Sequence, residues 1–361
     1  MSNYIEYGGK VAFHPGYYIE EMIDCLGISQ EDFAKRLGTT PKNLSILVRG
    51  EQSLSLDIAI KLSRMLGNSI EFWLAIQKRF DERKGEILSD EELEKEKAIF
   101  KLIDYKYLEK YFGLPASHKI DERIKSVREF LSVSSLCLLE RQDLCTNPGT
   151  MTAHLNQEEM VNANVMMQIA VNLAARQETP KYSRKALARA ARFALTLTTR
   201  RESFLPETAK AFREAGVVLI ALPSLTKSPV CGATKRLAGK MLLMVSDRVR
   251  FVDAFWETLF LEINRALTGD FGLYREGDTQ SEAVARADCS LIPNDRYQEF
   301  ASGSDACTVE SIQQFALEIG RDPGIVLARL IKDGKVHRSD RQLLDRLRKP
   351  FCIDEIVIHG S

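Results

Sequence analysis

Residues 27–50 read GISQEDFAKRLGTTPKNLSILVRG, and this stretch decides how the first part of the chain folds. Ser29 stands where a helix needs an N-cap, its hydroxyl able to accept an orphan backbone N–H, and Asp32 follows three residues on. Phe33, Ala34 and Leu37 share one face of that helix, and the small Ala34 lets a second helix cross closely. Gly38 supplies the left-handed residue that ends it. Thr40 caps a second helix, and Pro41 takes its first position, where a missing N–H costs nothing. Leu44 and Leu47 turn inward, and Gly50 stops the helix. Two short helices joined by a tight glycine turn make a helix-turn-helix.

The second helix leaves Lys42, Asn43, Ser45, Ile46 and Arg49 facing outward. An Asn amide can bond an adenine edge twice, and an Arg fork can bond guanine. Thr40 and Ser45 suit phosphates or base edges, and Gln30, opening the first helix, is placed to clamp the phosphate backbone. Lys35, Arg36, Lys42 and Arg49 supply phosphate attraction. The expected DNA-binding set is therefore Gln30, Thr40, Lys42, Asn43, Ser45 and Arg49. A helical hairpin with no affinity for DNA has the same spacing, so the pattern alone leaves both readings open.

Three segments together carry a family resemblance: Phe13-His14-Pro15-Gly16, then GISQEDFAKRLG, then SLSLDIAIKLSRMLGNSIEFWLAIQKRFD over 53–81. They resemble the HigA/VapI branch of the Xre-type regulators, which includes antitoxins of toxin–antitoxin operons. The resemblance implies an all-α, five-helix, lambda-repressor-like domain. It also implies a homodimer on a double-stranded DNA operator with an inverted repeat, and a cognate toxin or another protein as a further partner. His14 reads as a structural residue and not a ligand, and Phe72 and Trp73 read as core.

The chain around this element has 361 residues, enough for two or three domains. Hydrophobic residues are 45% and charged residues 28%, the balance of a soluble globular protein. Fifty Lys+Arg against fifty Asp+Glu give zero net charge, which excludes a chain coated in positive charge but not a local basic patch. No apolar run approaches the ~18 residues of a membrane span, and MSNYIEYGGK lacks the apolar core of a secretory signal. Seven cysteines without a CxxC pair suit reduced thiols, so a cytoplasmic protein away from membranes is expected.

Three regions are expected: 1–82, the helix-turn-helix domain; 83–150, a helical connector; and 151–361. The charged run DERKGEILSDEELEKEKAIFK (81–101) reads as a solvated helix with pairs such as Glu91–Lys95. The only convincing strands are GVVLIALP (216–223) and KMLLMVS (240–246), with CGATKRLAGK between them read as turn chemistry. Long helical patterns lie at 182–200 and 251–268. The expected class is mainly α with a small β-sheet, the third region being α+β. The basic stretch 181–201 is read as a helix with one solvated face, DNA contact being the alternative.

Within the third region, FVDAFWETLFLEINRALTG (251–269) puts Phe255, Trp256, Leu259, Phe260 and Ile263 on a broad apolar face. Taken with Cys231-Gly232-Ala233-Thr234, Leu291-Ile292-Pro293 and SIQQFALEIGRDPGIVLARLIKDGKV (311–336), it is similar to the ImmA/IrrE-type metallopeptidase domain, a zincin-like fold. Active members carry H-E-x-x-H on this helix, two His ligands for zinc around a general base. This chain has Leu261-Glu262-Ile263-Asn264-Arg265 there. Leu offers no donor atom, and the permanently cationic Arg repels Zn²⁺. The family's downstream acidic ligand aligns with Gln280, or with Glu282 if the register slips by two.

The resemblance thus implies a degenerate metal site at Leu261, Glu262, Arg265 and Gln280. Glu262 is a relic base, expected to pair with Arg265, and no metal, cofactor or catalytic residue remains. His118, His154, His337 and His359 show no ligand spacing. No GxGxxG, P-loop or GxSxG motif occurs, and Cys231 reads as a bystander thiol. The expected function is sequence-specific transcriptional regulation, as a repressor or HigA-like antitoxin. The peptidase-like domain would serve sensing, partner binding or dimerisation. The alternative is an active metallopeptidase that cleaves a repressor or partner protein.

Overall fold

A hairpin precedes the first helix in the computed structural model, which describes residues 3–144, 155–200, 204–275, 282–303, 307–354 and 357–358. Strands β1 (Tyr4–Tyr7) and β2 (Lys10–Phe13) pair antiparallel, Tyr7 opposite Lys10. Gly8 and Gly9 make the connection with φ of 57° and 77°, the double positive φ that a two-residue hairpin turn demands. The all-α expectation for this domain is corrected here. The sequence signal was a Gly-Gly pair between two alternating runs.

The chain divides into two compact units, Met1–Glu96 and Lys97–Ser361. In the first, α1 (Pro15–Leu26), α2 (Gln30–Leu37), α3 (Pro41–Val48), α4 (Leu56–Leu66) and α5 (Ile70–Phe100) follow the hairpin. Ile19, Phe33, Ala34, Leu44, Leu62 and Trp73 are fully buried together. Each large apolar side chain among them contributes about 1.5–3 kcal/mol by leaving water. Phe72 departs from its expected place in the core. It is 45% exposed and stands edge-on to buried Trp73, because neighbouring helix positions point about 100° apart. The charged run is helical as expected, but Lys95 approaches Glu92 rather than Glu91. Helix α5 passes residue 82 without a break.

The second unit begins with α6 (Tyr105–Phe112), α7 (Ile120–Leu131) and a 3₁₀ turn, Leu136–Glu140. Then come α8 (Gln157–Ala175), α9 (Arg184–Leu197), α10 (Phe204–Glu214), β3 (Val217–Leu222), β4 (Val230–Leu237) and β5 (Lys240–Ser246). It continues with α11 (Val252–Thr268), β6 (Gly272–Arg275), α12 (Glu282–Leu291), α13 (Asn294–Ala301), α14 (Val309–Ile319), α15 (Pro323–Lys332), α16 (Arg341–Leu347) and β7 (Val357–Ile358). The sheet order is β6-β4-β5-β3-β7, and among the described residues only β3 and β5 pair in parallel.

Both expected strands are present, but the segment read as a turn is mostly β4. It pairs antiparallel with β5, and the turn shrinks to Ala238-Gly239. Gly232 and Lys235 masked the strand by diluting its apolar character. Val217, Leu219, Ala221, Leu243 and Val245 pack with α9, α10 and α11, while the alternating Val218, Ile220, Leu242 and Met244 are buried too. A sheet covered on both faces reads as continuous apolar runs, which is why β3 and β5 stood out.

Helix α8 packs against β3, β4 and β5. Its Met160, Val161, Ala163, Val165, Met166 and Ile169 circle the helix, so no single face gives it away in sequence. Buried Asn162 and Asn164 donate to the carbonyls of Leu102 and of Leu139 and Arg141, tying α8 to the segment before it. Among the described residues no helix is long and apolar enough to cross a membrane.

Candidate nucleic-acid interface

The platform for α3 is built by the residues before it. Ser29 Oγ accepts from Asp32 N at 3.1 Å and caps α2. Gly38, at φ 69°, ends α2 by returning its N–H to the Ala34 and Lys35 carbonyls. Thr40 Oγ1 accepts from Asn43 N at 3.1 Å, and Pro41 opens α3. At Gly16 a Cβ would sit 2.4 Å from the Leu47 carbonyl oxygen and 2.5 Å from that of Val48. Only glycine lets α1 lie this close to the C-terminal end of α3.

His14 joins the two. Its Nδ1 accepts from Gly16 N at 3.0 Å as the N-cap of α1, and its ring stands edge-on to Phe80. The Gln52 backbone lies close enough to the imidazole to favour its protonated form. With Nδ1 accepting, the proton of the neutral ring sits on Nε2. Burial holds the His14 pKa below its ordinary value, so the ring is neutral.

On this platform Lys42 and Arg49 are exposed, and Asn43, Ser45 and Ile46 are half-buried. Thr40 is exposed at the N-cap, and Gln30 opens α2. Asn43 Nδ2 donates to Thr39 Oγ1 at 3.0 Å, and Gln52 Nε2 donates to Asn43 Oδ1 at 2.9 Å. Arg49 follows α3 as its C-cap and forks onto Glu51, with nitrogen–oxygen distances of 2.8 and 3.1 Å. That hydrogen bond holds the Glu51 carboxyl below its usual range. Both side chains are solvated, so the pair binds weakly and yields readily to a competing anion. Sequence reading missed Thr39, Glu51 and Gln52, which lie just outside the two helices.

In the second unit, Leu261 and Glu262 are fully buried and Arg265 is 7% exposed. Arg265 Nη1 donates to Glu262 Oε1 at 3.1 Å, and the Thr234 hydroxyl of β4 donates to the same carboxylate. Gly232 makes room. A Cβ there would lie 2.6 Å from Thr258 Cγ2 and 3.0 Å from Glu262 Cγ. Burial pushes the Glu262 carboxyl up to about 7, with Arg265 opposing the shift.

These residues do not fit a zinc ion, because Leu261 is aliphatic and Arg265 is a guanidinium bound to the single carboxylate, Glu262. Among the described residues no group of three or more His, Cys, Asp or Glu could hold a metal. Gln280, His154 and His359 lie outside the described residues. Glu282 begins α12. The basic side chains Arg184, Lys185, Arg189 and Arg192 of α9 are exposed, as a solvated face requires. A cleft of about 750 Å³ opens beside α11, lined among others by Cys231, Phe251, Glu257, Thr258, Tyr274 and Lys332.

Two helices capped in this way around a glycine turn, with a polar face on the second, define the helix-turn-helix class. Residues 20–73 match the helix-turn-helix family, and the chain belongs to it. It is 39% identical over 70 residues to the uncharacterized HTH-type transcriptional regulator YddM of Escherichia coli K12, covering 19% of this chain and 74% of that protein. It is 42% identical over 69 residues to virulence-associated protein A' of Dichelobacter nodosus, covering 19% of this chain. The chain spans 60% of that relative's length. A crystal structure from Nostoc punctiforme, described as an antidote protein of a plasmid maintenance system, shares 33% identity. It covers 23% of this chain and 92% of its own, with a TM-score of 0.23.

Proposed function

We propose that this protein is a sequence-specific DNA-binding transcriptional regulator, a repressor or an antitoxin of the HigA kind. One observation carries the reading. Helix α3 presents Lys42 and Asn43 at a capped N-terminal turn, with Ser45 further along the helix and Arg49 at its C-cap, on a platform of glycine-permitted close contacts. The N-terminal residues of a recognition helix are those that meet base edges in the major groove. Lys35, Arg36, Lys42 and Arg49 add phosphate attraction. The protein works as a homodimer, two copies of α3 entering grooves one helical turn apart on an inverted repeat, with a cognate toxin or another protein as a further partner.

The second unit is a metal-free, peptidase-like domain without catalytic activity, used for sensing, partner binding or dimerisation. Support comes from Leu261 and Arg265, which stand where a zinc site of that kind would need its two imidazoles, Arg265 being paired with Glu262. The 750 Å³ cleft beside α11 is of the size that holds small ligands. Selection of bound fragments from a random DNA pool tests the first part, a palindromic consensus being expected. An absence of any enriched sequence refutes it. Elemental analysis tests the second, since stoichiometric zinc with chelator-sensitive proteolysis would replace it with an active metallopeptidase.

A further inference from the structure

The side chain best suited to reading adenine is held by its own neighbours. Asn43 sits at the third position of α3, and both ends of its amide are engaged. Thr39 Oγ1 takes one amide proton at 3.0 Å, and Gln52 Nε2 fills one carbonyl lone pair at 2.9 Å. An amide has two protons on nitrogen and two lone pairs on oxygen. One of each therefore remains, with the amide nitrogen on the Thr39 side and the amide oxygen on the Gln52 side. Adenine offers N7 as acceptor and N6–H as donor in the major groove, the pattern that the remaining pair matches. A flipped amide would set its donor against N6–H and its acceptor against N7.

Gln52 is held in turn. Glu51 N donates to the Ile46 carbonyl at 3.0 Å, fixing the chain just before it. Leu54 N donates to Gln77 Oε1 at 2.7 Å, fixing the chain just beyond it. The loop after α3 thus has a defined path, and Gln52 projects from it back onto the helix.

We propose that Gln52 and Thr39 are positioning residues that set the Asn43 amide in the one orientation that reads adenine. This rests on the reading of α3 as the recognition helix. The specificity of one base position in each half-site then depends on a residue that touches no base. Rigidity matters here because an amide free to rotate by 180° about its last bond discriminates poorly between an adenine edge and its mirror pattern.

The test uses full-length wild type, Gln52→Glu, Gln52→Ala and Asn43→Ala in the same selection from a random duplex pool, with binding to unrelated DNA titrated against salt. Glu at 52 accepts and cannot donate, so it favours the flipped amide. Adenine enrichment at one position per half-site is expected to drop about 10-fold or more in Gln52→Glu and in Asn43→Ala, and less in Gln52→Ala. In Gln52→Ala and Asn43→Ala the other positions, non-specific affinity and salt slope stay unchanged, which a merely structural defect would not allow. The added carboxylate of Gln52→Glu lowers affinity for every sequence alike and leaves the preferences at the other positions unchanged. Adenine preference untouched in both Gln52 variants overturns the proposal. A consensus unaffected by Asn43→Ala overturns it while leaving the regulator reading intact. Failure of the wild type to select any sequence overturns both.

Discussion

Charge is handled in opposite ways by the two units. On the α2–α3 surface, pairs such as Lys35–Glu31 and Arg49–Glu51 are solvated, and close contact is achieved by removing side chains, as at Gly16. In the second unit, ion pairs enter the interior. Glu262 meets Arg265, Asp253 meets Arg348 with nitrogen–oxygen distances of 3.0 and 3.1 Å, Lys332 bridges Glu257 and Asp288, and Lys349 meets Asp322. Solvated pairs contribute little to stability and can exchange partners. Buried pairs cost heavily if one member is lost, and they specify one arrangement. The first surface is built to trade its partners for a ligand, and the second interior is built not to.

The largest effect should come from breaking the second arrangement. Arg265→Ala leaves Glu262 buried without its cation, and a loss of about 3–5 kcal/mol is expected. Calorimetry of the full chain reads it as a lowered transition, and the double change Glu262→Leu with Arg265→Leu should recover most of it. The pH dependence sharpens the point. The folded Glu262 pKa is about 7 against an ordinary 4.5, so its stabilising contribution is complete at low pH and is lost as pH rises through 7. Relative to the double variant, the wild type should weaken between pH 5 and pH 8. A flat difference would mean that the carboxylate is better solvated than its burial implies.

Next in size is Gly16→Ala. The added methyl meets backbone oxygens that have no flexible end to swing aside, so α1 must back away from α3. An overpacking cost of about 1–3 kcal/mol is expected in the first unit, with DNA binding weakened in parallel. If thermal stability is unchanged, the contact between α1 and α3 is looser than the geometry requires.

Legibility in the sequence follows the same division. Ser29, Gly38, Thr40 and Pro41 each act through local backbone chemistry, so their roles could be read from order alone, and the structure places each at the cap or turn expected. Gln52 and Glu51 could not be read that way. They act on Asn43 and Arg49 from a loop whose path is held by Gln77, a tertiary contact. The HPG motif was visible, but the reason its glycine cannot be replaced lies in the backbone of another helix. In the second unit the apolar strands β3 and β5 announced themselves, while α8, apolar on every side, and β4, interrupted by Gly232 and Lys235, gave no clean period. The Glu262–Arg265 pair was legible because three residues is a helical spacing.

At the recognition surface, Asn43→Ala and Arg49→Ala should each reduce discrimination for the operator by about 5- to 150-fold, the range for one bidentate base contact. Glu51→Gln should act in the opposite sense. It frees Arg49 from a carboxylate that competes with DNA, so affinity rises several-fold and the salt dependence steepens. Fluorescence anisotropy on a selected operator reads both. An unchanged salt slope in Glu51→Gln would show that Arg49 stays with Glu51 in the complex.

The smallest effect concerns His14, and it asks whether the first unit carries a buried titrating group of its own. Its neutral ring accepts from Gly16 N through Nδ1, a bond that protonation destroys. Desolvation lowers its pKa and Lys84 assists, while Asp81 and the Gln52 backbone oppose. The folded pKa therefore lies below the unfolded value of 6.5. Between the two the unfolded chain binds more protons, so stability rises with pH. The contribution is complete above about 6.5 and is lost as pH falls through the folded pKa. His14→Asn keeps an N-cap acceptor without a titrating ring, so its stability should not follow pH in that window. The wild type should soften on acidification in the first unit's transition alone, while the second unit gains from protonating Glu262. Opposite pH slopes for the two transitions in one calorimetric series would show that each unit titrates through its own buried group, and parallel slopes would refute it.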